Sequence, residues 1–505
     1  MESEQREQDI KYHLIVVNLW AIVIFGINIW GYDLWPPDEP RYAEVAREMM
    51  VTGDYLVPRV NGIPYFEKPP LLMWLMTLFS LPLGDITELS ARLPSVLSGV
   101  GTVILTYLIA LELFGRKTAW LSAIIFITML RVWWQARFAQ IDMLLTFLLA
   151  LALYAFLKWE NSGERRNSPW IFVFYISIAG ALFSKGPGTL AFPVLFLITY
   201  IWIEKKETLL QDVSVGKGAT ALIRKYLRIN GFAMTKNLRP ILGAFIVFMP
   251  YIVWYAYARW SASAEMNVSA THLALSDMFK QTIGRIAFGV AHSRPPWYYF
   301  ISVPVDMFPW SLFLLWIIPF IWKKKNSAPN IRFLLYWAVP AFIFFSIATG
   351  KRAIYLLPIF PALAILTAHS LENFDDENVT TPRWRNIQRL LWLITLVLIA
   401  SLLHVVLLSN FSEIWNPYWI LVSVVAVITI IDTLLAYSKK LSTSRSLLIQ
   451  IPQHTSLFFI ILALVILPSV NQIKSVRKFC EPLRKLSEAK VSYEAYSFGF
   501  EDEEY

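Results

Sequence analysis

Long apolar runs separated by short polar connections follow one another along almost the whole chain. A helix needs about 17 to 25 apolar residues to cross a bilayer, and about thirteen runs approach that length. They fall near residues 13–31, 93–113, 119–136, 143–159, 170–184, 188–203 and 240–258, then 303–322, 332–349, 353–369, 389–409, 418–437 and 456–472. The pattern predicts an all-α polytopic membrane protein. An odd number of spans leaves the two termini on opposite sides.

The polar connections are of two kinds. Alternate ones are basic: "GRK" at 115–117, "GERR" at 163–166, Lys205 and Lys206 with "IRKYLR" at 223–228, "KKK" at 323–325, "RWR" at 383–385 and "SKK" at 438–440. The positive-inside rule puts these in the cytoplasm together with the N-terminus. The loops 32–92, 131–142, 259–302 and 350–353, and the tail after Asn471, then face outward. The first of them is too long for a connector. It carries "EPRYAEVAREMMVTG" and "PPLLMWLMTLFSLPLG", amphipathic or short segments that suit helices lying in the interface plane. "PPWYYF" at 295–300 reads as an aromatic belt. The chain divides into a transmembrane body, 1–472, and a polar stretch, 473–505, that looks like the start of an incomplete outward-facing domain.

Composition agrees with this division. Of 505 residues 56% are hydrophobic and only 16% charged, and the mean hydropathy is +0.51. The net charge of +9 comes from clusters between spans, so it reads as a topology signal and argues against nucleic acid as a partner. Cys480 is the single cysteine, which excludes an intramolecular disulfide and a cysteine-based metal cluster.

Four polar stretches on the outward side could carry chemistry: "PPDEPRY" (36–42), "YFEKPP" (65–70), "RFAQID" (137–142) and "GKRAIYLLP" (350–358). Charges this close to a bilayer are costly and call for a reason. Asp38 and Glu39 stand before a helix-starting proline; Glu39 is expected to cap that helix and Asp38 to position or deprotonate an acceptor. In "YFEKPP" Lys68 is a point charge suited to a phosphate, which leaves Glu67 for a metal or a hydroxyl. Asp142 opens the next span, with Arg137 as a possible partner. Lys351, Arg352 and Tyr355 form a basic outward turn that the positive-inside rule disfavours, and an anionic ligand would compensate. Arg41, Arg285, Arg294 and His292 are further outward cations available to the same anion. A lipid-phosphate substrate asks for this combination of apolar groove, cations and carboxylates.

The residues that carry a family resemblance are now in view. "PPDEPRYAEVAREMMVTGDYLVPRVNGIPYFEKPPLLMWL" (36–75), "ARLPSVLSG" (91–99), "ARFAQIDMLLT" (136–146) and "GKRAIYLLPIFPALAIL" (350–366) resemble the aminoarabinose transferases of lipid A. These belong to the C-type (GT-C) polyprenyl-phosphate-sugar glycosyltransferases, which include the protein O-mannosyltransferases. The resemblance implies a GT-C fold and an inverting transfer of a sugar from undecaprenyl phosphate to lipid A, or to another glycan or protein acceptor. It implies an active site on the periplasmic face of the inner membrane. By motif, Asp38 and Asp142 match the family's acids, Lys68 its lipid-phosphate ligand and Glu67 a ligand for a divalent metal, zinc or magnesium/manganese. The Lys351, Arg352 and Tyr355 turn matches part of the phosphate site, which Arg41 and Arg285 extend. One departure stands out: where the family carries Glu-His before an Arg, this chain reads "KQTIGRI" (280–286), so the zinc site lacks that histidine. Protein serine or threonine is the alternative acceptor. A lipid-linked sugar transporter is the reading from another class, with Lys185 in "FSKGPG" as the charge in its favour and the loop placement of the remaining charges against it.

Overall fold

The computed structural model describes residues 2–163, 165, 168–211, 237–266, 292–373, 443–475 and 477. The runs expected at 389–409 and 418–437, the basic stretches at 223–228, 383–385 and 438–440, Arg285, and most of 473–505 lie outside the described residues.

From the N-terminus, α1 (Glu2–Gly26) leads through a loop to α2 (Asp38–Thr52), the hairpin β1 (Arg59–Val60) and β2 (Ile63–Pro64), and α3 (Leu71–Ser80). There follow α4 (Glu88–Phe114), α5 (Arg116–Ile127), α6 (Leu130–Arg137), α7 (Ile141–Glu160) and α8 (Trp170–Lys185). Local chemistry sets several boundaries. Thr87 and Ser90 form a reciprocal capping box at the start of α4. Gly53 ends α2 in the left-handed region, at φ 73°, where its N–H reaches Met49 O. Asn61 and Gly62, both at positive φ, make the two-residue turn between β1 and β2.

Among the described residues seven helices are long and apolar enough to cross a membrane: Glu7–Gly26, Glu88–Phe114, Ile141–Glu160, Pro240–Ala264, Pro329–Ile347, Ala353–Glu372 and Ile451–Asn471. Two bent pairs raise the total to nine. The protein is multi-pass. Its helices expose Ile15, Leu19, Ile22, Ile252 and Ile347, side chains that favour lipid over water. The structure departs from the expected straight spans in two places. The run at 119–136 is α5 and α6, bent by 63°, and the run at 303–322 is Tyr298–Asp306 followed by Trp310–Lys324, bent by 114°. The expected loop 131–142 is therefore helical as far as Arg137, and only 138–140 connect α6 to α7. The runs at 170–184 and 188–203 are shorter apolar helices.

A break in a helix frees backbone groups at a depth where water cannot satisfy them. Here the two breaks satisfy each other. Leu130 N donates to Phe308 O at 3.0 Å, Trp310 Nε1 donates to Thr128 Oγ1 at 2.9 Å, and Arg131 Nη2 lies 2.7 Å from Asp306 Oδ1. Gly99 lets α4 approach α6: a Cβ there would lie 2.8 Å from that of Ala136.

Polar contacts sort the connections to two ends. Asp9 pairs with Arg116 at 2.5 Å and Lys158 with Glu112 at 2.8 Å, so the start of α1 and the turns after α4 and α7 share one end. The segments at 33–41, 67–68, 138–142, 292–294 and 350–352 meet at the other, as the contacts below describe.

Candidate active site

Asp38 and Glu39 open α2 and both are buried, with 7% and 1% of their surface exposed. No side-chain hydrogen bond caps this helix. The expectation that Glu39 is the cap is corrected by what it does bind. Arg92, fully buried on α4, grips it through Nε and Nη2 at 2.8 and 2.9 Å, and the backbone N–H groups of Trp35 and Ala139 donate to it at 2.9 and 2.8 Å. Arg92 also donates to the carbonyls of Ile29, Tyr32 and Asp33 and lies over the Tyr32 ring, 3.9 Å from its centroid. Glu39 thus ties three segments together and has no acceptor capacity left to offer a ligand.

Asp38 has different surroundings. Its Oδ2 accepts from Gln140 Nε2 at 3.0 Å and from Arg352 Nη2 at 3.3 Å. Its Oδ1 faces Arg41 Nη2 at 3.8 Å, beyond hydrogen-bond distance. Arg41 lies equally close to Glu67, 3.7 Å from Nη1 to Oε2, and so bridges the first acid to the "YFEKPP" turn. Lys68 Nζ donates to Glu67 O at 3.2 Å. Burial disfavours the charge of Arg352, yet Asp38 and Asp142 together raise its pKa above the ordinary arginine value.

Asp142, in the first turn of α7, pairs with Lys185 at the end of α8. Lys185 Nζ also lies over the Tyr355 ring, 4.6 Å from its centroid. Arg137, the partner expected from sequence, is turned elsewhere: it is fully buried and donates to the carbonyls of Ile24, Phe25 and Ile27 at the end of α1. The break between α6 and α7 explains the difference, since it puts Arg137 and Asp142 on separate helices. Lys351 is also turned inward. Its ammonium donates to Arg294 O, at 2.9 Å, and to Ala348 O, and burial lowers its pKa. Two of its three donors are thus occupied by the turn that presents Arg352.

The structure therefore gathers Asp38, Arg41, Glu67 and Arg352 around one point, with Lys68 next to Glu67 in the chain, and sets Asp142, Lys185 and Tyr355 beside it. Lys185, Gln140 and Arg92 were not expected in this role. The signal for Lys185 was present as a charge at the end of an apolar run, and that for Gln140 as a polar residue inside "RFAQID". Among the described residues no group of three His, Cys, Asp or Glu side chains could hold a metal ion. The neighbour that Glu67 has at 3.7 Å is a cation. The described residues therefore do not fit a divalent metal site by themselves.

Comparison with known proteins bears on the fold and on sequence similarity. Residues 10–234 match the family model described as dolichyl-phosphate-mannose-protein mannosyltransferase. The undecaprenyl phosphate-alpha-4-amino-4-deoxy-L-arabinose arabinosyl transferase of Erwinia tasmaniensis is 30% identical over 361 residues, which is 71% of this chain and 59% of the relative. The chain thus spans about three fifths of the relative's length. The crystal structure of ArnT from Cupriavidus metallidurans bound to undecaprenyl phosphate superposes with a TM-score of 0.70 at 21% identity, covering 97% of this chain and 82% of that one. The archaeal oligosaccharyltransferase AglB from Archaeoglobus fulgidus superposes with a TM-score of 0.51 at 13% identity, over 97% of this chain and 61% of that one. The shared backbone, with its charges gathered at one end of the bundle, defines a membrane protein of the C-type glycosyltransferase fold. Within that fold the chain is similar in sequence to the aminoarabinose arabinosyl transferases, and its residues 10–234 to the protein mannosyltransferase family model.

Proposed function

We propose that the chain is a polyprenyl-phosphate-sugar-dependent glycosyltransferase. It moves a sugar from undecaprenyl phosphate to lipid A or a related lipopolysaccharide acceptor, on the periplasmic face of the inner membrane, with inversion at the anomeric carbon. The observation that carries this reading is the Asp38 carboxylate, buried, with Oδ2 held by Gln140 and Arg352 and Oδ1 presented beside Arg41 and Glu67. The names of the relatives support an undecaprenyl-phosphate-linked donor.

In this reaction the acceptor oxygen bonds to the anomeric carbon as the bond from that carbon to the phosphate oxygen breaks, and the electron pair leaves with undecaprenyl phosphate. The residues that meet the developing charge are Arg352 and Lys68, with Arg41 and Tyr355 alongside; Arg285, outside the described residues, joins them on the sequence resemblance alone. A hydroxyl acceptor gives its proton to Asp38. A phosphate acceptor has no proton to lose, and Asp38 then orients it. Asp142, through Lys185, sets the cation beside Tyr355. We read the full topology as about thirteen spans with a cytoplasmic N-terminus. In it α2 and α3 lie along the outer interface. A divalent ion on Glu67 would need ligands from outside the described residues, and no step is routed through it.

Protein serine or threonine is the second reading of the acceptor, favoured by the family model over residues 10–234. A transporter is less well supported, because Lys185, the charge that favoured it, is paired with Asp142 at the site.

The test is transfer by the full chain in liposomes from undecaprenyl-phosphate-linked 4-amino-4-deoxyarabinose to lipid A, read by mass spectrometry, with and without chelator. Asparagine keeps the size of aspartate but neither its charge nor its basicity, so Asp38→Asn is expected to lower turnover by about 10²- to 10⁴-fold. Turnover like the wild type in that variant would overturn the assignment. Loss of activity in chelator, restored by one metal, would establish the ion.

A further inference from the structure

Gln140 enters the reading above only as a donor to Asp38 and Gln135 not at all, yet the two form a chain that ends on that carboxylate. Gln135 Nε2 donates to Gln140 Oε1 at 2.7 Å, and Gln140 Nε2 donates to Asp38 Oδ2 at 3.0 Å. The direction of both bonds follows from chemistry. An ionised carboxylate only accepts, so Gln140 must turn its amide nitrogen to Asp38. Its oxygen then faces Gln135, which must supply a nitrogen. Rotating the Gln140 amide would set oxygen against carboxylate, and rotating that of Gln135 would set oxygen against oxygen.

Both residues are held from outside the pair. Gln135 is 1% exposed on α6. Arg131 and Arg137, at the two ends of that helix, are pinned to Asp306 and to the carbonyls of α1. Gln140 sits in extended conformation before α7, with its N–H on Phe138 O at 2.7 Å and its carbonyl accepting from the buried Ser95 Oγ at 3.3 Å. A short side chain on an anchored backbone, with its amide fixed at the far end, can hold a carboxylate in one rotation. Arg352 cannot do this alone, because it sits on the turn that would also engage the donor's phosphate.

We propose that Gln140 is a positioning residue, oriented by Gln135, that fixes the rotation of the Asp38 carboxylate so that Oδ1 points at the acceptor. The inference rests on the reading of Asp38 as the reacting carboxylate. Gln140 does not touch substrate; it acts through Asp38.

The experiment measures kcat and KM for donor and acceptor, against pH, in Gln140→Leu, Gln140→Glu and Gln135→Met, beside the wild type and Asp38→Asn. Gln140→Leu removes the donor and is expected to lower kcat by about 10- to 100-fold with each KM within about twofold, the scale on which misplacement of a catalytic group acts. Gln135→Met keeps the buried volume and removes only the orienting bond, so a smaller loss in the same direction is expected. Gln140→Glu is the discriminating variant. At low pH its introduced carboxyl shares a proton with Asp38 and can donate it there, as the amide did, and activity persists. As pH rises that proton leaves, the like charges repel, and activity falls on a limb that the wild type lacks. Gln140→Leu with wild-type kcat while Asp38→Asn is inactive would overturn the inference and leave the reading of Asp38 standing. So would a loss in Gln140→Leu with no new pH limb in Gln140→Glu, which marks a purely structural role. An active Asp38→Asn would remove the reading itself.

Discussion

Asp38 and Glu39 are adjacent, equally acidic and both buried, yet their surroundings commit them to opposite tasks. Four donors converge on Glu39, two from Arg92 and two from backbone N–H groups, whereas Asp38 keeps one oxygen clear of hydrogen bonds among the described residues. Sequence could show that two carboxylates before Pro40 exceed what a helix cap requires. It could not show which one faces inward, because that depends on Arg92, 53 positions away. The same separation hid Lys185 from Asp142. A buried ion pair broken by removing one partner leaves the other charge stranded, at a cost of about 3–5 kcal/mol. Arg92→Leu is therefore expected to destabilise the protein by about that amount. Unfolding in detergent, followed by tryptophan fluorescence, measures it. Adding Glu39→Met to Arg92→Leu should recover only part of the loss, because the N–H groups of Trp35 and Ala139 then lose their acceptor as well.

At the scale of elements, hydrophobic periodicity locates helices well and their breaks poorly. The run at 119–136 is mostly apolar, with Thr128 and Arg131 near its middle, and nothing in its periodicity marks the 63° bend. Pro304 and Pro309 do mark the second break, but the depth of the bend depends on what receives the freed backbone groups. Those groups come from the other broken span, so each break is legible only with its partner in place. The Arg131–Asp306 pair closes this junction, with Asp306 3% exposed in its side chain and its Oδ2 without a hydrogen-bond partner among the described residues. Arg131→Leu should thus cost about 3–5 kcal/mol by stranding Asp306, and Arg131→Leu with Asp306→Leu should recover most of it. Detergent unfolding of the two variants side by side checks this, and a double variant no more stable than the single one would contradict it. Recovery is expected here and not at Arg92 because, among the described residues, the Asp306 carboxylate accepts from Arg131 alone.

At the scale of the molecule, alternation predicts sidedness, since each span reverses the side, and among the described residues the turns after α4 and α7 do share an end with the start of α1. What alternation does not carry is contact between distant ends of the chain. Asp33, in the loop that leads to Asp38, is bound by the far end of the described chain. Asn471 Nδ2 donates to it at 3.1 Å, Arg477 Nη1 at 3.0 Å, and Ser475 Oγ also donates; the Asn471 side-chain oxygen accepts from Asp33 N and Trp35 Nε1, both at 3.0 Å. Partial burial raises the pKa of Asp33, but the hydrogen bonds from Ser475, Asn471 and Arg477 outweigh it and hold the carboxyl below its usual range. A carboxyl with a depressed folded-state pKa binds its proton more readily when unfolded. Its contribution to stability is therefore fully present above the unfolded value, about 3.9, and is lost as pH falls through the lower folded value. The clasp between the last described span and the first loop should accordingly hold at neutral pH and loosen only in acid, below about pH 4. Asp33→Asn should lower stability at pH 7 and remove that part of the acid dependence, so that the wild type and the variant converge as pH falls. Unfolding in detergent from pH 7 down to the acid limit of solubility measures the convergence. A constant gap between the two across that range would show that the carboxylate's charge is not what the C-terminal segment holds.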